Sequence, residues 1–241
     1  MFSRIVNLLY PAQCHACGVK TIAWDQNICD VCLKKIKKRL PPFCIKCGRQ
    51  IPGEPEAMYV CNDCKNEQLY FDRAFSVFYY DGILKKLVHN FKYNKMTALA
   101  KEFVELVIAF MKEYDIGKRC EIVVSIPMHP FRLFKREINP SEILAKNIAK
   151  KLGLHYFNSI LKKTKNTPPQ SMLSRTERIE NLEGSFSLRK YKEHDIKGKN
   201  ILLVDDLFTT GSTVNECAKV LKEAGGAYIE VITLARADKL P

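Results

Sequence analysis

The chain has 241 residues, room for one sizeable domain and a smaller module. Its formal charge of +13 points toward anionic partners: nucleic acid, phosphate esters or an acidic surface. No run approaches the ~20 uninterrupted apolar residues of a membrane helix. The start, "MFSRIVNLLYPAQC", has too short and broken an apolar run for a secretory signal. Together these exclude a membrane-spanning chain and lead us to expect a cytoplasmic protein whose thiols stay reduced.

Eight of the ten cysteines fall in the first 64 residues, as four C-x-x-C pairs: Cys14/Cys17, Cys29/Cys32, Cys44/Cys47 and Cys61/Cys64. The pairs form an internal repeat. "CHACG" returns as "CIKCG", and "CDVC" returns as "CNDC". A glycine after each knuckle suits the tight turn that aims backbone amides at thiolate sulfur. Reduced thiols at this spacing predict two structural four-cysteine zinc sites. The repeat favours Cys14, Cys17, Cys29 and Cys32 on one ion and Cys44, Cys47, Cys61 and Cys64 on the other; an interleaved cross-brace is the competing pairing. So few apolar residues could not fold without such staples. The predicted boundaries are a double zinc-ribbon module over 1–68 and a second domain over 69–241. Cys120 and Cys217 read as small buried apolar residues.

From Phe71 the composition changes. "FDRAFSVFYY" reads as a strand closed by the Asp81-Gly82 turn signal. Apolar residues at Ile83, Leu84, Leu87, Val88 and Phe91 make a helical stripe, and "MTALAKEFVELVIAFMKEY" a longer amphipathic helix. "CEIVVSIPMHP" is a buried strand that stops in a Pro-bracketed loop, and "PSEILAKNIAKKLGL" a helix with Pro140 in its first turn. "FNSILKKT" is a short strand or loop, and residues 164–184 are polar. Then come the strand Ile201–Val204, the helix "TVNECAKVLKEAG" and the strand "YIEVITLAR". Strands alternating with helices predict a mostly parallel α/β domain.

"ILLVDDLFTTGST" (201–213) carries the chemistry. Ligands of parallel α/β sheets bind beyond the carboxyl ends of strands. Thr209, Thr210, Gly211, Ser212 and Thr213 stand there, with a helix beginning at about Thr213, and make a nest for a phosphate monoester. No G-K-[ST] follows the glycine, so it is not a P-loop. Asp205 and Asp206 would repel a phosphate. They suit the hydroxyls of a vicinal diol beside it. A ribose 5-phosphate satisfies both halves.

This stretch resembles the phosphoribosyl-pyrophosphate (PRPP) signature of type I phosphoribosyltransferases. "YYDGILKKLVHNFKYN", "SIPMHPFRLFKREIN", "TPPQSMLSRTERIENLEGSF" and "LARAD" resemble, in order, stretches of ComF-type competence proteins, which also place a zinc ribbon before a transferase-like domain. The resemblance implies a type I phosphoribosyltransferase-like parallel sheet flanked by helices. In it Thr209 to Thr213 would bind the 5-phosphate, and Asp205 and Asp206 the ribose hydroxyls at the catalytic centre. Pro127, Met128 and His129 would form the pyrophosphate loop, backed by Arg132, Arg136 and Asn139, with the family's R-G-F-N-Q appearing here as "REINP". Gln170, Arg175, Arg178 and Asn181 would belong to a flexible closing loop, and Lys92 and Tyr93 would face the substrate. Mg²⁺ would accompany PRPP. The family likeness further implies a part in DNA uptake in natural transformation, with single-stranded DNA on a basic surface and a DNA-uptake helicase or other transformation proteins as partners. Aromatic residues such as Phe43, Tyr59, Tyr70 and Phe71 are candidates for stacking bases, or for filling small cores. The alternative is an active phosphoribosyltransferase acting on an unidentified small nucleophile, with the ribbons as scaffold.

Overall fold

The computed structural model describes residues 12–23, 25–54, 59–167, 182–189 and 193–238. Two short helices, α1 (Asp30–Lys34) and α2 (Asn62–Lys65), belong to the cysteine-rich part. The rest runs β1 (Arg73–Tyr79), α3 (Gly82–Tyr93), α4 (Leu99–Glu113), β2 (Ile122–Ser125), α5 (Pro130–Arg136), α6 (Pro140–Leu152), β3 (His155–Tyr156) and β4 (Leu161–Lys163). It continues through β5 (Phe186–Leu188), α7 (Glu193–Ile196), β6 (Asn200–Phe208), α8 (Ser212–Glu223) and β7 (Tyr228–Arg236).

Five strands form one parallel sheet in the order β1-β7-β6-β2-β3. Successive strand residues point to opposite faces, so each apolar run supplies two cores. Leu202, Val204, Val123 and Ile232 join α3, α4 and α6 in one; Ile201, Leu203, Val124 and Val231 join α8 in the other. β4 and β5 pair antiparallel outside this sheet. Among the described residues, no helix is long and apolar enough to cross a membrane.

The two ribbons dock on opposite faces. Ala16, Ile28 and Cys32 pack into the α3–α4 core, while Cys44, Cys47 and Cys61 pack into the α8 core. The first ribbon is tied down by Glu102 of α4, whose Oε1 accepts from Asn27 N at 2.7 Å and Asn27 Nδ2 at 2.8 Å. The second lies along β1, where Ala74 N donates to Lys46 O at 2.7 Å. Phe43 is not a free stacking platform, since it meets Phe75, Phe110 and Tyr114 edge-on. Phe71 is buried against Phe208. Cys120 and Cys217 are buried, as expected of small apolar residues.

Candidate functional site

The cysteines group sequentially. Cys14, Cys17, Cys29 and Cys32 converge in one cluster, and Cys44, Cys47, Cys61 and Cys64 in the other, with all four sulfurs of each within 4.8 Å of one another. Cys17 and Cys29 sulfurs are 3.7 Å apart, as are those of Cys47 and Cys61. Tetrahedral Zn–S bonds of about 2.3 Å place sulfurs about 3.8 Å apart. Both sets therefore fit structural zinc, and Cys61 N donates to Cys44 Sγ at 3.3 Å as a knuckle requires.

The second centre lies where adjacent strands β2 and β6 end together. The loop after β2 (126–129) and the loop after β6 (209–211) border a cleft of about 270 Å³. The structure brings Asp205, Asp206, Thr209, Gly211 and Thr213 to it, facing Pro127, Met128, His129, Arg132 and Arg136. Lys92 and Tyr93 enter from the last turn of α3. Thr210 and Ser212 do not line it. Their hydroxyls pair with each other at 2.8 Å and line a cavity of about 300 Å³ on the far side of the loop, against the second ribbon. The loop's alternate residues face opposite ways, with Gly211 at φ +88 in the left-handed region as the turning point. Gly211 is also the N-cap of α8 and offers that helix no side-chain cap. The Ser212 amide donates to Thr210 Oγ1 at 3.4 Å, and the positive end of the helix faces the loop. Gln170, Arg175, Arg178 and Asn181 lie outside the described residues.

The acid pair is buried and partnered. Asp205 Oδ1 accepts from Ser141 Oγ at 2.7 Å and from the Asp206 amide at 2.8 Å. Burial first, and then the charge of Asp206, push Asp205 up to about 7. Asp206 Oδ1 lies 2.8 Å from Lys92 Nζ. Burial works to lower the Lys92 pKa, but the two aspartates outweigh it and hold it above the ordinary lysine value. Because Asp205 titrates higher folded than unfolded, the unfolded chain releases this proton first as pH rises. Stability associated with Asp205 is therefore lost between about pH 4 and pH 7 and falls no further above that. Asp205→Asn is expected to match the native protein near pH 4 and to exceed it above pH 7 by on the order of 2 kcal/mol. Thermal unfolding at both pH values checks this, and a pH-independent difference would contradict it.

Across the cleft the charges are positive and crowded. Lys163 of β4 is pushed down to about 8 by burial and then by Arg132. Arg132 is itself lowered by burial and by Arg136. Three cations that raise one another's energy are relieved by an anion. Arg132 donates to Thr167 O. Arg136 lies 4.4 Å over the Tyr93 ring and donates to its hydroxyl at 2.8 Å. Asn139 Nδ2 donates to Ile126 O at 3.1 Å, tying the loop after β2 to the start of α6. Where the family pattern has glycine, Glu137 sits at φ +64, a left-handed conformation costing a side-chain-bearing residue about 1 kcal/mol or more. Lys95 lies 2.5 Å from its carboxylate. His129 caps α5 by accepting from Phe131 N at 3.2 Å, and His89 packs on Tyr93. Ser141 and Lys163 were not among the residues singled out by sequence: one reads as an ordinary first-turn serine, the other as a surface lysine.

Two family descriptions match the chain: Double zinc ribbon domain over residues 5–65, and Phosphoribosyl transferase domain over residues 140–240. Competence protein F of Haemophilus influenzae is 29% identical over 214 residues, covering 88% of this chain and 91% of that protein. DNA utilization protein YhgH of Salmonella typhimurium is 29% identical over 232 residues, 95% and 99% of the two chains. The chain is thus similar, over most of its length, to ComF-type competence proteins. Competence protein ComFC of Bacillus subtilis is 28% identical, over 88% of this chain and 85% of its own length. Among solved structures, an allosteric regulatory enzyme of purine biosynthesis is 19% identical over 56% of this chain and 25% of its own, with a TM-score of 0.35. A purine phosphoribosyltransferase from Pyrococcus horikoshii is 14% identical over 58% and 77%, with a TM-score of 0.33.

Proposed function

We propose that this chain binds PRPP in the cleft at the ends of β2 and β6 and handles single-stranded DNA during DNA uptake. The observation that carries the PRPP reading is the order of charge along the cleft. The start of α8 behind Gly211 and the hydroxyls of Thr209 and Thr213 suit the 5-phosphate, the acid pair suits the ribose diol, and Arg132, Arg136 and Lys163 suit the pyrophosphate. Arg132, Arg136 and Lys163 would share the pyrophosphate with Mg²⁺, whose charge would be neutralising there. The relatives' names, competence protein and DNA utilization protein, support the DNA part.

A nucleic-acid face adjoins the cleft on α5. Phe134 is 85% exposed and Phe131 50% exposed, with Lys135 4.6 Å over the Phe131 ring. Exposed rings among cations suit stacked bases and a phosphate backbone. Single-strand affinity should fall steeply with salt and drop about tenfold or more in Phe131→Ala/Phe134→Ala, yet survive Asp206→Asn. Fluorescence anisotropy with an oligonucleotide reads all three. Salt-independent binding, or an unchanged double variant, would contradict this face. The second reading, an active phosphoribosyltransferase, is favoured by the same three cations, which would stabilise departing pyrophosphate.

A further inference from the structure

A buried acid pair beside a phosphate-binding loop would ordinarily draw a divalent cation. Here one oxygen of each carboxylate is already engaged. Ser141 and the Asp206 amide hold Asp205 Oδ1, and Lys92 Nζ lies against Asp206 Oδ1. Among the described residues, the only groups of three or more side chains able to share a metal are the two cysteine clusters. Lys92 is no loose surface lysine, since its side chain is only 14% exposed. It leaves the last turn of α3, whose Leu84, Leu87, Val88 and Phe91 are buried. The first ribbon clamps that helix. Asn90 Nδ2 donates to His15 O at 2.9 Å, and Lys86 Nζ donates to Ala16 O.

We propose that Lys92 is a tethered counter-ion that takes the place of a metal at Asp205 and Asp206, so that the pair accepts a ribose diol without a divalent cation. The inference rests on the cleft being a ribose-phosphate site. An ammonium carried on a packed helix supplies one positive charge at a fixed point. It engages only Oδ1 of Asp206, and among the described residues no partner stands against the second oxygen, which can accept from a hydroxyl. Any Mg²⁺ then belongs to the pyrophosphate end of the ligand. The arrangement gives the first ribbon a role at the site, as the support of the helix that carries the cation.

The probe is ribose 5-phosphate, which lacks the pyrophosphate that would bring its own metal. Calorimetry is run in resin-depleted buffer and again with millimolar Mg²⁺; EDTA is avoided because it attacks the zinc sites. The native protein should bind equally in both buffers. Lys92→Met should lose about tenfold or more without Mg²⁺ and recover much of it with Mg²⁺. Zinc content and circular dichroism report whether the variant is folded; if it is not, the native protein's two titrations decide alone. Native binding that requires Mg²⁺, or a folded Lys92→Met that binds like the native protein without metal, overturns the inference and leaves the ribose-phosphate reading standing. No native binding in either buffer overturns both.

Discussion

Gly48→Ala is expected to detach the second ribbon from the sheet. Gly48 sits at φ +65, and a Cβ there would lie 2.1 Å from the Ala74 carbonyl oxygen and 2.9 Å from Phe75 Cα. Both neighbours are backbone of β1, which is paired to β7 along its length and cannot yield. The contact between Lys46 O and the Ala74 amide would open, and with it the 2.8 Å bond from Arg236 Nη1 to Cys47 O. Arg236 lies 4.4 Å over Phe208, and the Phe208 ring rests where a Cβ on Gly211 would be, 2.6 Å away. Ribbon, arginine, ring and phosphate loop are thus one packed series. The expected cost is about 3 kcal/mol or more, with ligand affinity falling too. Chemical denaturation beside zinc analysis measures it. A variant within about 1 kcal/mol of the native protein, with both zinc ions retained, would contradict this packing.

The second large effect falls on Asp206. Replacing it by asparagine leaves Lys92 buried without its ion-pair partner, and breaking one side of such a pair costs about 3 kcal/mol or more. PRPP affinity should drop by about a hundredfold, because Lys92 is left unbalanced in the cleft while Asp205 Oδ1 stays committed to Ser141 and the residue-206 amide. Asp205→Asn should therefore be the milder of the two at pH 7. Equal losses for both variants would show that the carboxylates share the diol evenly. Calorimetry on the two variants, beside thermal unfolding to separate folding from binding, makes the comparison.

Much of this was legible in the sequence, for identifiable reasons. Metal spacing is local, so the repeat of C-x-x-C pairs announced two four-cysteine sites, and the sequential grouping followed the repeat unit. An apolar strand running into Asp205-Asp206 and a hydroxyl-rich turn is local as well. Long-range pairing was not legible. β1 and β7 come from opposite ends of the domain, and only the fold puts the Ser76 and Thr233 hydroxyls 2.7 Å apart. Nor does spacing show that Thr210 and Ser212 turn away from Thr209 and Thr213, because a glycine at positive φ decides it. Lys163 reaches the cleft only through the β4–β5 pairing. The Pro-bracketed loop expected after β2 turns at Pro130 into α5, which buries none of its residues and leaves Phe134 open to solvent.

The central claim is that the cleft is a PRPP site, and titration calorimetry of the zinc-loaded protein with PRPP and Mg²⁺ tests it most directly. The account predicts saturable binding of one PRPP per chain, lost or weakened by about a hundredfold in Asp206→Asn. No heat of binding from the intact protein, or an Asp206→Asn titration that overlays the native one, would contradict it.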